Sequence, residues 1–216
     1  MKNGILLFIG MMALTACQSR QTAPTTHFQK AKWETIAQIN DLKRNKNHRV
    51  SIDVLAIKNE KMRMEVTATL GYQVASVLIN REGFKAAVYP QKKFYQGNLS
   101  DRAFSDALNM PVSPRALFAI AFDEPITGQG WSCEKDAESM PKKCVQANSQ
   151  IQVEWTKKND GTKLVKITSP RIEMSWFFKN PELNFEEKPE LFNLNVPNGY
   201  QVISTNVASR SISRDL

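Results

Sequence analysis

An alternation of apolar and polar side chains on either side of a turn, between residues 50 and 69, is the feature that most constrains the fold. Apolar residues first recur at every second position, at Val50, Ile52, Val54 and Ala56. After a turn at Asn59-Glu60 the alternation resumes, with Met62, Met64, Val66 and Ala68 against Arg63, Glu65, Thr67 and Thr69. A period of two is that of a β-strand with one buried face. The region therefore predicts an antiparallel hairpin in a sheet that is wet on one side and dry on the other.

The remaining elements are predicted from the same kind of pattern. Strands are expected at residues 73–80, 84–89, 93–96, 151–157, 163–168, 171–179 and 200–203. A short helix is expected at residues 100–108. A second begins at Ser113-Pro114, a typical capped start, and runs to Phe122. Because this second helix is apolar on nearly every side, we expect another element to cover it.

The segment from His27 to Leu42 carries a different spacing. Its apolar residues fall on one face of a helical projection, at Phe28, Ala31, Ile36, Ile39 and Leu42. This spacing predicts a first amphipathic helix ahead of the sheet.

The N-terminal residues indicate export and lipid attachment. A positive start at Lys2 and an apolar run from Ile5 to Leu14 precede Leu14-Thr15-Ala16-Cys17. A short apolar run with small residues before the cut is typical of a signal peptide, and a cysteine at the cut makes it a lipoprotein signal. We expect residues 1–16 to be removed, Cys17 to be acylated, and residues 17–26 to form a flexible tether. Gln18, where Asp would favour inner-membrane retention, favours the outer membrane, with the domain on its periplasmic face.

The other two cysteines are expected to pair. Cys133 and Cys144 remain once Cys17 carries lipid, and two thiols in an oxidising compartment most simply form a disulfide. Closing so short a loop stabilises by roughly 3 kcal/mol in the chain-entropy model. A metal site is not expected, because the two histidines, His27 and His48, are far from these cysteines in the sequence.

Composition and charge restrict the classes of function. Hydrophobic residues make up 42% and charged residues 23% of the chain, as in a globular protein, and we expect one domain over residues 27–204 and a disordered tail over 205–216. The net charge of +8 indicates either attraction to anionic lipid or an acidic partner, or simply a solvated lysine-rich surface. Nucleic acid is an unsuitable partner for an exported lipoprotein. The motifs of serine hydrolases, P-loop proteins, zinc proteases and dinucleotide-binding folds are absent from the sequence, which argues against an enzyme.

The order of features from Met62 to Pro125 resembles one protein family. A strand at Met62–Thr67 leads to Leu70-Gly71, a Val- and Leu-rich strand, a turn with Gly83 and further strands ending at Tyr95. A short helix, Asn109-Met110-Pro111-Val112-Ser113-Pro114, and a helix closing at Asp123-Glu124-Pro125 follow. In this order the chain resembles the LolB-type outer-membrane receptors of the LolA/LolB superfamily. Its ending, with Leu191-Phe192-Asn193-Leu194 and Pro197-Asn198-Gly199-Tyr200, is similar to that of the wider superfamily.

The resemblance implies an α+β fold, an open, incomplete antiparallel β-barrel formed by a curved sheet with a helical lid. Its apolar hollow would accept the acyl chains of lipoproteins from a periplasmic LolA-like carrier and pass them to outer-membrane phospholipid. We expect a monomer with no cofactor and no catalytic residue. The hollow should be vacant enough for acyl chains. It should be lined by one alternation of the strands and by the lid, at Met64, Val66, Val77, Ile79, Val88, Leu117, Phe118 and Phe122.

The resemblance also suggests a membrane-insertion loop. A leucine on a protruding loop prompts membrane delivery in that family, and the Leu-Gly match places it at Leu70 and Gly71. Alternatively, Leu70 packs into the core.

A second function stays open from the sequence. The chain could be a structural or protein-docking periplasmic lipoprotein that keeps the fold without lipid transfer. Its basic surface and its disulfide loop would then be the contact site, and a filled core would favour it.

Overall fold

The structure is a computed structural model that describes residues 28–205, apart from residues 159 and 161. The signal segment, Cys17, the tether, His27 and the tail beyond Thr205 lie outside the described residues. Neither helix in the described part is long and apolar enough to cross a membrane.

One curved twelve-stranded sheet and two helices make up the described chain. The strands are β1 (Lys30–Asp41), β2 (Lys46–Ile57), β3 (Lys61–Ala68), β4 (Gln73–Asn80), β5 (Gly83–Val88), β6 (Lys93–Gly97), β7 (Trp131–Lys135), β8 (Pro141–Gln146), β9 (Ile151–Lys157), β10 (Lys163–Thr168), β11 (Ile172–Phe178) and β12 (Gln201–Ser204). The helices α1 (Asp101–Leu108) and α2 (Pro114–Phe122) lie between β6 and β7 in sequence. The expected fold class, an open antiparallel sheet with two lid helices, is confirmed.

The strand order joins the two halves of the chain through its first strand. The order across the sheet is β12-β6-β5-β4-β3-β2-β1-β11-β10-β9-β8-β7. The pairs are antiparallel, except that β12 lies parallel to β6. Since β1 lies between β2 and β11, the sheet is continuous across the helical insertion.

The first amphipathic helix predicted between His27 and Leu42 is wrong, because this segment forms strand β1. It pairs along its whole length with β2, from Lys30 opposite Ile57 to Asp41 opposite Lys46. Its buried residues recur at every second position, at Ala31, Trp33, Thr35 and Ala37. Partners on both sides, β2 and β11, satisfy its backbone groups, so the period of two prevails over the helical spacing.

The predicted alternation of apolar and polar side chains is confirmed in β2 and β3. Val50, Ile52, Val54 and Ala56 are buried, as are Met62 and Met64, while Ser51 and Asp53 are exposed. The predicted helix starts are also confirmed. The Ser100 and Ser113 side chains accept hydrogen bonds from the backbone N–H groups of Ala103 and Ala116, at 3.1 and 3.2 Å.

The segment between the two cysteines is a hairpin rather than the loop expected from the sequence. Strands β7 and β8 pair, and Cys133 lies directly opposite Cys144 with a Cα–Cα distance of 4.1 Å. The predicted disulfide between them is present. It therefore joins adjacent strands at the end of the sheet and closes a local hairpin.

The core lies mainly on the concave side of the sheet, where side chains of both halves and of both helices meet. A smaller cluster lies on the opposite face, where the chain after β11 returns across β4–β6; it contains Leu78, Ala87, Phe94 and Leu194. The outer face of this part of the sheet is therefore also covered.

A buried hydroxyl connects three strands at the centre of the sheet. Thr35 of β1 accepts a hydrogen bond from the indole Nε1–H of Trp176 on β11 and donates one to the carbonyl oxygen of Ile52 on β2, both at 2.7 Å. The side chain of Trp176 is almost fully buried. Without the hydroxyl its N–H would have no acceptor there, and an unpaired buried donor is costly.

We expect the Thr35→Val substitution, which keeps the shape of the side chain, to lower the free energy of unfolding by about 1–3 kcal/mol because Trp176 loses its acceptor. Urea unfolding followed by tryptophan fluorescence measures this change. Thr35→Ser retains the hydroxyl and is the control. Equal stability of the Thr35→Val and wild-type proteins would contradict the expectation.

Candidate acyl-chain site

The strand residues predicted to line a hollow lie on one face of the sheet. Register pairs Met64 with Val77 across β3 and β4, while Val66 and Val88 both lie opposite Ala75. The fifth residue, Ile79, is in phase with Val77. These five positions therefore face the concave side, although their role in holding acyl chains stays a prediction.

The three lid residues meet the same core from the other side. Leu117, Phe118 and Phe122 of α2 are buried among the concave-face side chains. The ring of Phe122 meets that of Trp33 edge to face, with centroids 5.4 Å apart. Helix α1 contributes Phe104, whose ring lies 5.2 Å from that of Phe84 on β5. The structure thus brings the predicted strand and lid residues together in one apolar cluster, except Val88, which lies outside it.

Helix α2 occupies the part of the concave side that it covers. Leu117 and Ile120 of α2 are 0% exposed, and Trp33 beneath the helix is 2% exposed. No water-sized space therefore adjoins Leu117 or Ile120. The part of the predicted hollow that α2 covers is therefore not vacant, and an acyl chain could reach that part only if the helix moved.

A polar clamp holds the C-terminal end of α2. The ammonium group of Lys163 on β10 donates hydrogen bonds to the carbonyl oxygens of Ile120 and Ala121, both at 2.7 Å, and to the Asp123 carboxylate at 2.8 Å. We call this set of contacts the Lys163 clamp. Helix carbonyls near a C-terminus lack helical partners, and a cation there satisfies them. The clamp therefore attaches the end of the lid to the sheet.

The clamp lysine lies in an apolar environment. Its ammonium group lies 4.5 Å from the ring centroid of Phe178 and 5.9 Å from that of Trp33. Burial lowers the pKa of the Lys163 ammonium, and the nearby Asp123 carboxylate opposes this effect. The cation is thus retained by a small set of acceptors, and separating the helix from it would leave charged and polar groups without their partners.

A second ion pair fixes the same end of α2 to the other half of the sheet. Lys58, in the turn between β2 and β3, lies 2.7 Å from the carboxylate of Glu124, just beyond the helix. The helix end is therefore tied both to β10 and to the β2–β3 turn, which together border the concave side.

Sequence reasoning missed Lys163, although its signal was present. Lys163 is in phase with Val165 and Ile167, and these three residues face inward together. A lysine at a core-facing position of a strand indicates a buried cation that needs acceptors. The acceptors come from a helix end forty residues away in sequence, which the strand pattern alone does not reveal.

One buried donor in the core has no partner among the described residues. It is the indole Nε1–H of Trp155 on β9, in the same apolar cluster. A buried unpaired donor costs about 1–3 kcal/mol. The interior of the described chain thus contains one hydrogen-bond donor without an acceptor.

A cleft lies outside the apolar cluster, at the N-terminal ends of both helices. It measures about 330 Å³, and its lining includes Ser100, Asp101, Ser113, Arg115 and Trp131. Burial raises the pKa of the Asp101 carboxyl, and Arg115 opposes this effect. The largely polar lining does not suit an alkyl chain.

Leu70 does not pack into the core. Its side chain is 83% exposed in the turn between β3 and β4, and that of Tyr72 in the same turn is 68% exposed. Gly71 between them has a φ of +82°, a conformation that glycine adopts without strain. The turn therefore presents two large apolar side chains to solvent. Sequence reasoning identified Leu70 and Gly71 but not Tyr72.

We expect Lys163→Met to increase the amide hydrogen exchange of α2 roughly tenfold or more, because hydrogen bonds from a charged donor stabilise by about 1.5–3 kcal/mol. Exchange of the central strands β1 and β2 should change much less. Hydrogen exchange read by mass spectrometry at peptide level separates the two regions.

Lys157→Met is the matched control. Lys157 lies 3.3 Å from the same Asp123 carboxylate, but its side chain is more exposed and no helix carbonyl accepts from it within the described residues. If both variants leave exchange of α2 unchanged, the Lys163 contacts do not hold the helix.

The comparisons with known proteins identify the fold. No protein-family model and no curated protein matches the sequence. Among solved structures, a LolA superfamily protein from Nitrosomonas europaea aligns with a TM-score of 0.50 at 8% identity, covering 77% of this chain and 91% of that chain. A DUF1329 family protein from Desulfovibrio piger has a TM-score of 0.46 at 9% identity and coverages of 78% and 91%. A candidate outer membrane lipoprotein-sorting protein domain from Vibrio parahaemolyticus has a TM-score of 0.45 at 7% identity and coverages of 76% and 89%. The described chain has the LolA-like fold.

Proposed function

We propose that this protein is an outer-membrane-anchored receptor of the LolB type. It accepts the acyl chains of lipoproteins between the concave face of the sheet and α2, and delivers them to the outer membrane. It acts without a catalytic step, and acyl chains on Cys17 attach it to the periplasmic face of that membrane. A periplasmic LolA-like carrier supplies the cargo.

The observation that carries the proposal is an apolar helix lodged in the concave side of an open sheet and tied there at one end. From Ala116 to Phe122 the helix residues are buried against the sheet. Its C-terminal end is held by a few polar contacts, the Lys163 clamp and the pair of Lys58 with Glu124. Such a helix can leave the concave side as a unit and expose a continuous apolar surface.

The free energies make this exchange feasible. Hydrogen bonds from a charged donor contribute about 1.5–3 kcal/mol each, so breaking the clamp costs several kcal/mol. Burial of a methylene group contributes about 0.8 kcal/mol, so roughly ten buried methylenes offset that loss. One long acyl chain supplies that number. The apolar side chains of α2 would then face the chains rather than water.

The exposed turn at Leu70 supports the delivery step. A largely exposed leucine and a tyrosine at the tip of a turn can insert shallowly into a bilayer, where water no longer contacts them. Leu70 is not part of the apolar cluster, so packing of the core does not determine where its side chain lies.

The filled interior favours a second candidate, a structural or protein-docking lipoprotein that keeps the fold without lipid transfer. In that case α2 never leaves the sheet and the protein binds no acyl chain. Binding of a triacylated lipopeptide distinguishes the two candidates directly.

We expect wild-type protein to bind a triacylated lipopeptide, and Val66→Trp to weaken that binding at least tenfold by occupying the half-buried concave face of β3. Thr67→Trp, the next residue along the strand and on the outer face, should leave it unchanged. Titration of a fluorescent lipopeptide measures both, and thermal unfolding checks that each variant folds. Absence of binding by the wild type would reject the receptor function.

We expect Leu70→Glu to retain lipopeptide binding but to slow transfer from the protein to phospholipid vesicles at least tenfold, because a charge at the tip opposes insertion. Leu183→Glu, at another exposed apolar position, is the control. Unchanged transfer by Leu70→Glu would remove this role from the turn.

A further inference from the structure

Two turns and a strand extension lie side by side at one end of the sheet. Strand β3 ends opposite Val50 of β2, whereas β2 continues backward from Val50 to Lys46, still paired with β1. At a rise of about 3.3 Å per residue, this hairpin extends roughly 13 Å beyond the end of β3. The Thr69 hydroxyl donates a hydrogen bond to the carbonyl oxygen of Arg49 at 3.1 Å, which places the β3–β4 turn against the hairpin. We call residues 42–49 and 69–72 together the hairpin end.

Apolar side chains are exposed at both parts of the hairpin end. Leu42, at the tip of the β1–β2 hairpin, is 48% exposed, in addition to Leu70 and Tyr72 in the neighbouring turn. Residues 46–49 are exposed on both faces, so this part of the hairpin stands clear of the core.

Basic side chains surround these apolar tips. Lys43, Arg44, Lys46 and Arg49 are exposed, and His48 lies among them. Asp41 is the acidic residue next to them, and it lies 3.9 Å from Arg44. Within the described residues, Lys43, Lys46 and Arg49 have no carboxylate within ion-pair distance. The hairpin end therefore carries a positive charge that the described residues do not neutralise.

Three lysines at the opposite end of the sheet have carboxylate partners. There Lys58 pairs with Glu124, Lys61 with Glu187 and Lys32 with Glu182. Exposed lysines with no ion pair within the described residues also lie elsewhere, among them Lys135, Lys142 and Lys166, but the hairpin end combines three such cations with exposed apolar tips.

We propose that the hairpin end is a docking surface for an anionic phospholipid membrane, in which Lys43, Lys46 and Arg49 contact lipid phosphates while Leu42, Leu70 and Tyr72 enter the headgroup layer. Cationic side chains beside apolar tips match a surface that is negative outside and apolar beneath. An acidic protein partner could pair with the basic side chains. It would offer no apolar layer into which Leu42, Leu70 and Tyr72 could insert. The inference rests on the proposed function, because a delivery receptor needs a face that meets the bilayer.

The test compares vesicles of phosphatidylcholine alone with equimolar phosphatidylcholine and phosphatidylglycerol. Residues 17–216 with Cys17→Ala are used, so that no acyl chain of the protein's own attaches it to the vesicle; removing residues 1–16 deletes none of the described elements. The wild-type surface should bind the anionic vesicles more tightly. The combined variant Lys43→Gln, Lys46→Gln and Arg49→Gln should bind them about a hundredfold more weakly, at roughly fivefold per basic residue.

The control removes the same charge elsewhere, through Lys135→Gln, Lys142→Gln and Lys166→Gln at exposed positions outside the hairpin end. This control should bind as the wild type does. Equal binding by the hairpin variant and the wild type, or no preference of the wild type for anionic vesicles, overturns the docking surface and leaves an acidic protein as the occupant.

Lipopeptide binding is measured on the same samples, so the two proposals fail separately. If the vesicle measurements contradict the docking surface while the wild type still binds the lipopeptide, only the docking surface is rejected. Absence of lipopeptide binding by the wild type rejects the receptor function, whatever the vesicle result.

Discussion

Burial of the apolar helix α2 is the constraint on which the rest of the structure depends. Of its nine residues only Arg115 is exposed, so the helix needs apolar surface on nearly every side. A flat sheet could cover only one side of it. The twelve-stranded sheet curves round the helix, with strands of both halves of the chain contributing to its surroundings. The concave shape and the filled interior therefore have one origin.

The contacts at the end of α2 differ in kind from those along its length. Along the helix the contacts are apolar and any apolar group of suitable shape could replace them. At its end they are directional, with one lysine shared by two carbonyl oxygens and a carboxylate. The position of α2 is thus specified mainly by polar groups, whereas most of the free energy of its packing comes from burial of apolar side chains. The two kinds of contact therefore make separate contributions to how α2 is held against the sheet.

Local patterns predicted much of this fold and some of the candidate site. Alternation in β2 and β3 and the serine cap of α2 depend on neighbouring residues alone, and both are predicted correctly from the sequence. Strand β1 was misassigned because Ala31, Ile36 and Ile39 fit a helical spacing by coincidence. Its pairing with β2 and β11 depends on residues that are distant from it in the sequence. Lys163 was overlooked for a similar reason, because its acceptors come from another element. The filling of the concave side depends on where α2 packs against the sheet, and no strand pattern specifies that position.

The position of β1 between β2 and β11 has a consequence for how the chain reaches this state. Thr35 of β1 lies opposite Phe178, and Lys93 of β6 lies opposite Gln201. The two edge strands of the N-terminal half, β1 and β6, are therefore paired only by strands from about the last fifth of the protein. Contacts between residues so distant in sequence form slowly. While the chain folds, both strand edges therefore stay unpaired until the final segment is available, and unpaired edges favour aggregation. This topology makes the last strands of the chain the ones that protect its first half from intermolecular pairing.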